Sequence, residues 1–167
     1  MNMEELLQRL RETDGCRFAP PVGLPQLSPG LTLPDDLRMF YAMCGGAEMF
    51  LDQDFGFRIV PPSEFELANI AVLGRTYYQA HQAVFDADIT NSWYIIARGT
   101  GPEESISIDR SVDRCGHCYD SFHEVHGTGD SRVVALSFTE LLDRLLSCGG
   151  KALFWELPGF PDYGRAR

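Results

Sequence analysis

This sequence has almost no lysine. Of its 14 basic residues only Lys151 is a lysine, and the arginines form no cluster, so the electrostatic footprint that nucleic acid or an anionic membrane would need is missing. Long apolar runs are missing too: none approaches the roughly 20 residues that span a bilayer, and Met1-Asn2-Met3-Glu4-Glu5 is acidic where a secretion signal would be basic. A cytoplasmic chain is expected. There is no glycine loop followed by Lys-Ser or Lys-Thr, and no Gly-x-Ser-x-Gly elbow surrounds Ser121. Nucleotide hydrolysis therefore has no support, and Asp120, Ser121 and His123 share residue types with a hydrolase triad by coincidence. No internal repeat and no low-complexity segment occurs.

What is present is enough hydrophobic matter for one core, 44% of 167 residues, and a formal charge of −10. A cationic protein is the partner that such a charge fits. The five cysteines, Cys16, Cys44, Cys115, Cys118 and Cys148, are odd in number and scattered, which is not the pattern of a disulfide scaffold, so free thiols are expected.

Met3, Leu6, Leu7 and Leu10 repeat at helical spacing and predict an amphipathic helix over residues 3–12, ended by Asp14-Gly15. Residues 19–34 carry Pro20, Pro21, Pro25, Pro29 and Pro34 with two glycines and read as an extended connector. A second helix follows, with Pro34 in its first turn and Asp35 and Asp36 against the positive end of its dipole. Leu33, Leu37, Phe40, Tyr41 and Cys44 form its apolar stripe, and Gly45-Gly46 is expected to stop it in left-handed geometry.

Ala47–Leu51 and Phe55–Ile59 flank a turn at Asp52-Gln53-Asp54 and predict a hairpin; Ser63-x-x-Glu66 has capping-box spacing and predicts a short helix toward Asn69. Tyr77, Tyr78, His81 and Phe85 fall on one helical face, before a polar loop over 86–91. Trp93–Ala97 suits a central strand, Ile106 and Ile108 alternate with Ser105, Ser107 and Asp109 in its neighbour, and residues 119–122 and 133–136 add two more strands. Ser137-x-x-Glu140 opens a helix with Phe138, Leu141, Leu142 and Leu145 inward and Gly149-Gly150 at its end. The sum is a single α+β domain over residues 1–156, a mainly antiparallel sheet flanked by helices, with a loose tail at 157–167.

Several of these segments, in this order, resemble the SMI1/KNR4 (SUKH) superfamily: the Leu33–Gly46 helix, Phe57-Arg58-Ile59-Val60-Pro61-Pro62-Ser63-Glu64-Phe65, the strand pair Trp93–Gly99 and Ser105–Asp109, Cys118–Glu124, and the helix from Ser137 to Leu146. They span most of residues 31–147. The resemblance implies a protein-binding module without catalytic activity or cofactor, and for bacterial members an immunity protein that occludes a cognate toxin, often a nuclease or deaminase. A scaffold or regulator of the same fold is the alternative that the fungal members suggest.

The family supplies no catalytic motif, so candidate residues come from chemistry. Cys115 and Cys118 with His123 and His126 could fill a tetrahedral zinc shell, or the Cys-x-x-Cys could be redox active, either of which would make a thiol or zinc enzyme. The spacing opposes zinc, since only four residues separate Cys118 from His123 where a finger has a dozen or more, so no metal is expected. Acidity gathers in loops: residues 45–70 and 79–113 are each net −4. Glu48, Asp52, Asp54, Asp86 and Asp88 are the expected electrostatic contacts to a basic toxin domain; solubility is the plainer use of the same charge.

Overall fold

The computed structural model describes residues 1–26 and 28–167. Helix α1 is Met3–Glu12, as its spacing predicts, with Met3, Leu6, Leu7 and Leu10 buried. Asn2 accepts the Glu5 N–H at 2.8 Å while Glu5 accepts the Asn2 N–H at 2.9 Å, so two otherwise orphaned donors are satisfied reciprocally. Strand β1 is Cys16–Phe18, and α2 is Asp35–Met43. The α2 stripe is as expected, with Leu33, Leu37, Phe40, Tyr41 and Cys44 all at most 2% exposed. Its stop is not: Cys44 itself turns extended (φ −153°) and ends the helix. Gly45 is required for packing instead, since a Cβ there would lie 2.4 Å from the Pro20 carbonyl oxygen of the connector.

β2 (Ala47–Met49) and β3 (Phe57–Ile59) form the expected hairpin. The capping box at Ser63 does not form. Ser63 lies within a 3-10 turn, Pro62–Glu64, with no side-chain cap, because Pro61-Pro62 fixes the backbone there; the neighbouring Glu64 pairs with Arg58 at 3.0 and 3.2 Å. The chain then bridges Tyr94 through Leu67 before α3 (Ala68–Leu73), α4 (Arg75–Ala80) and α5 (Gln82–Asp86). The helical face foreseen over 77–85 is broken at His81 (φ −122°, ψ 21°). Its aromatic cluster survives: Tyr77 stacks on His81 at 4.3 Å and Tyr78 on Phe85 at 5.5 Å.

β4 (Trp93–Gly99), β5 (Ser105–Asp109), β6 (Cys118–Asp120) and β7 (Val133–Ala135) complete a seven-stranded antiparallel sheet in sequential order. Every residue of β5 is buried, so the half-buried pattern of alternating serine and isoleucine hides a strand covered on both faces. A bulge between Ile95 and Ala97 reverses which side chains point to which face. Before it Trp93 and Ile95 share a face with Ser107 and Asp109; after it Ala97 joins Ile59 and Ile106 on the other.

Helix α6 (Phe138–Cys148) is capped by Ser137, which accepts the Glu140 N–H at 3.1 Å, and stops at Gly149 in left-handed geometry (φ 67°). Phe40 of α2 meets Phe138 of α6 edge-on at 5.0 Å, in a core that α1, α2 and α6 build against one sheet face. The segment expected as a loose tail packs back on the body. Val133 N–H donates to Gly164 O at 3.0 Å, Ala166 N–H to Ser131 O at 2.9 Å, and the Tyr163 hydroxyl to Glu140 at 2.6 Å.

Candidate partner-binding surface

The sheet face opposite α1, α2 and α6 is polar, and its two halves differ. At β4 it is packed by α3; over β1 to β3 it carries a cross-strand row, Arg17 opposite Glu48, Glu48 opposite Arg58, and Arg58 opposite Arg98. Glu48 is ion-paired to Arg17, and Arg58 to Glu64. Glu48 is thus flanked by two arginines, and its charge is largely met within the molecule.

Asp52 and Asp54 sit in the β2–β3 turn and are exposed. The turn is pinned from both sides: Phe50 takes a left-handed conformation (φ 58°), Phe55 N–H donates to Gly150 O at 3.1 Å, and the Thr100 hydroxyl donates to Asp54 O at 2.8 Å. Neither carboxylate has an ion pair among the described residues. Asp86 ends α5, also exposed and without an ion pair.

Asp88 is different. It caps the 3-10 turn Ile89–Ser92, accepting Thr90 N–H at 3.2 Å and the Thr90 hydroxyl at 2.6 Å, and pairs with Arg167 at 2.5 Å. Burial alone would raise this carboxyl, but the bonds from Arg167 and Thr90 outweigh it and hold it below the usual range. The structure therefore divides the candidates into two acidic sites. Asp52 and Asp54 lie by the end of β4, where Phe57 pairs with Gly99, and Asp86 and Asp88 precede its start, about 20 Å away for a seven-residue strand.

Behind Asp88 runs a buried polar chain. Asn69 donates to Thr90 Oγ1 at 2.9 Å and accepts from His126 Nε2 at 2.8 Å; His126 Nδ1 meets Ser121 Oγ at 3.0 Å, and Ser121 meets Ser107 at 2.5 Å. Because the Asn69 amide nitrogen is committed to Thr90, its oxygen faces His126, which fixes the proton on Nε2 and leaves Nδ1 to accept from Ser121. Burial pushes the imidazole down to about 4, so it is neutral at pH 7. Ser121 is fully buried, with its hydroxyl placed between His126 and Ser107. A cavity of about 490 Å³, walled by Tyr77, Phe85, Asp88 and His126 among others, opens above it.

The Cys/His cluster is dispersed by the fold. Cys118 is fully buried with its thiol toward Gly116 O and Ser137 O, and burial pushes that thiol well up. Cys115 meets Thr32, His126 has both nitrogens engaged, and His123 is exposed. Among the described residues no three His, Cys, Asp or Glu side chains gather as a metal would require. Asp109, counted with the loop acids, is fully buried and accepts from Ser92, Ser111 N–H and Arg114 at 2.7, 2.8 and 3.0 Å. It holds the β5–β6 loop and is not available to a partner.

Residues 26–144 match the family model described as SMI1 / KNR4 family (SUKH-1). The chain belongs to this family. It is also 36% identical, over 99% of its length and 96% of the relative's, to the Bacillus subtilis (strain 168) protein called Immunity protein YokJ. The family resemblance carried by the Leu33–Gly46 helix and the strand pair is thereby established, and the sequential antiparallel sheet is the α+β architecture it implied. No helix among the described residues is long and apolar enough to cross a membrane.

Proposed function

We propose that this SMI1/KNR4 protein is an immunity protein: a non-catalytic module that binds a cognate protein toxin in the cytoplasm and neutralises it. The observation that carries this reading is the end-to-end similarity to a relative named as an immunity protein, with no large insertion or deletion implied by coverage of 99% and 96%. The toxin we infer is a basic nuclease or deaminase domain whose cationic active site is occluded by acidic loops. A net charge of −10 with a single lysine supports a cationic partner.

Among the candidate contacts, Asp52, Asp54 and Asp86 are exposed and carry no ion pair among the described residues, so a partner cation could pair with them without breaking an internal one. Glu48 and Asp88 are already paired with Arg17 and Arg167, and would add to the field more than to direct contact. Nothing in the buried Ser121–His126–Asn69 chain or the dispersed cysteines favours the enzyme alternative.

The test is protection. Cells expressing the toxin domain encoded beside this gene should survive when this protein is co-expressed, and the purified pair should associate at a rate that falls steeply with ionic strength. Survival without complex formation, or no survival at all, would overturn the reading.

A further inference from the structure

The carboxylates with the least satisfied surroundings are not among the five acids expected as contacts. Glu104, at the end of the β4–β5 loop, and Asp120, at the end of β6, line a cavity of about 310 Å³ with Glu156 at its side. Phe57, Phe122 and Trp155 supply aromatic walls. Among the described residues no lysine or arginine forms an ion pair with any of these three acids. Arg132 donates to the Trp155 carbonyl at 2.7 Å and lies over Phe160, and its charge offsets only part of what raises Asp120.

This crowding is built in. Glu104 Oε2 is buried without a hydrogen-bond partner, tucked where a Cβ on Gly99 would sit 2.7 Å from it, so only glycine at 99 admits that carboxylate. Trp155 is 3% exposed, and its indole N–H lies toward Asp120 without completing a hydrogen bond. Asp120 accepts only the Phe122 N–H, at 3.0 Å. Burial, then mutual repulsion with Asp120 and Glu156, raises the Glu104 carboxyl; burial and Glu156 do the same to Asp120. An arrangement that leaves half-buried like charges together is costly to the free protein and is relieved by a cation that donates to the carboxylates.

We propose that this cavity receives an arginine side chain presented by the partner protein. A guanidinium is planar, stacks on aromatic faces and offers five donors in a fixed fork, which matches two carboxylates between aromatic walls. A metal ion does not fit, since the carboxylates do not converge with a third ligand. That the arginine belongs to a toxin rests on the functional reading above; the preference for a guanidinium rests on the cavity alone.

The experiment is titration of the full protein with N-acetylarginine methylamide, followed by NMR at the Trp155 indole N–H, assigned through Trp155→Phe. A saturable shift is expected, with affinity at least tenfold weaker in Glu104→Gln and no shift in Glu104→Gln/Asp120→Asn. The uncharged citrulline analogue should give none. Both substitutions keep shape and remove repulsion, so the variants should fold, and unchanged NMR dispersion checks this. No saturable shift, an equal shift with citrulline, or persistence in the double variant would overturn the proposal. A tenfold preference for spermidine over the arginine derivative would overturn a protein side chain as the occupant. If the toxin domain is neutralised equally by wild type and the double variant, the arginine anchor fails while the immunity reading stands; if wild type fails to neutralise, the immunity reading fails and the titration still decides what the cavity binds.

Discussion

On the face that receives α1, α2 and α6, strands β4 and β5 contribute Tyr94, Ala97, Ile106 and Ile108, whereas on the opposite face the same strands contribute Trp93, Ile95, Arg98, Ser105, Ser107 and Asp109. Both faces are buried along β5. The first is held by apolar area, which is large and tolerant of exchange; the second by directional bonds that each need a partner in place. Burial alone does not say what a position tolerates. Replacing an isoleucine trades volume, while replacing Asn69 or His126 strands a donor or acceptor in a buried site.

The largest effect should come from the apolar face. Phe40 is fully buried against Tyr41 and Phe138, and Phe40→Ala should cost about 3–5 kcal/mol if the site does not collapse. A denaturation midpoint equal to wild type would detach α2 from the core and break the comparison at its firmest point.

The polar face should respond nearly as strongly but through hydrogen bonds. Asn69→Ala removes the acceptor for His126 Nε2–H and the donor to Thr90, for a loss of about 2–3 kcal/mol. A loss below about 0.5 kcal/mol in urea would show that the chain carries no stability.

The same face should be pH-sensitive. His126 has a folded pKa of about 4, below the unfolded value near 6.5, so the unfolded chain takes up the proton first. Its contribution is complete above about pH 6.5 and disappears as pH falls toward 4, up to about 3 kcal/mol. Glu104 and Asp120, whose pKa values are raised, act in the opposite sense, so the informative quantity is the difference between wild type and His126→Gln. Stability measured from pH 7 to 4 should fall more steeply in wild type, and parallel curves would refute a neutral buried imidazole.

The smallest effects distinguish the two acidic sites. Asp88→Ala removes a helix cap and the pair with Arg167 and should cost about 1 kcal/mol. Asp52→Asn with Asp54→Asn should change stability by under about 0.5 kcal/mol each, while flattening the salt dependence of association with the toxin domain. Equal salt slopes would mean that this turn only keeps the protein soluble.

The sequence alone determined the local elements wherever one face had to be apolar and the ends carried capping chemistry. α1, α2 and α6 could be read from spacing, the last two also from Pro34 and Ser137, and the hairpins from alternation between turn residues, because such signals act within a few residues. It misled where a fixed backbone overrode a local pattern. Ser63 and Glu66 have capping-box spacing, yet Pro61-Pro62 sets that segment in a 3-10 turn. Of the acids the sequence singled out, it could not say which are free, because ion pairing is settled by residues far along the chain: Arg167 lies 79 positions from Asp88, and Arg17 lies 31 from Glu48. Likewise His126 meets Asn69 across 57 residues, and Glu104 shares a cavity with Asp120 and Trp155 only because the sheet and the turn after α6 bring them together. Composition sets how much charge there is; tertiary structure alone decides which charges are left without a partner, since desolvation and pairing depend on what the fold places within a few ångströms.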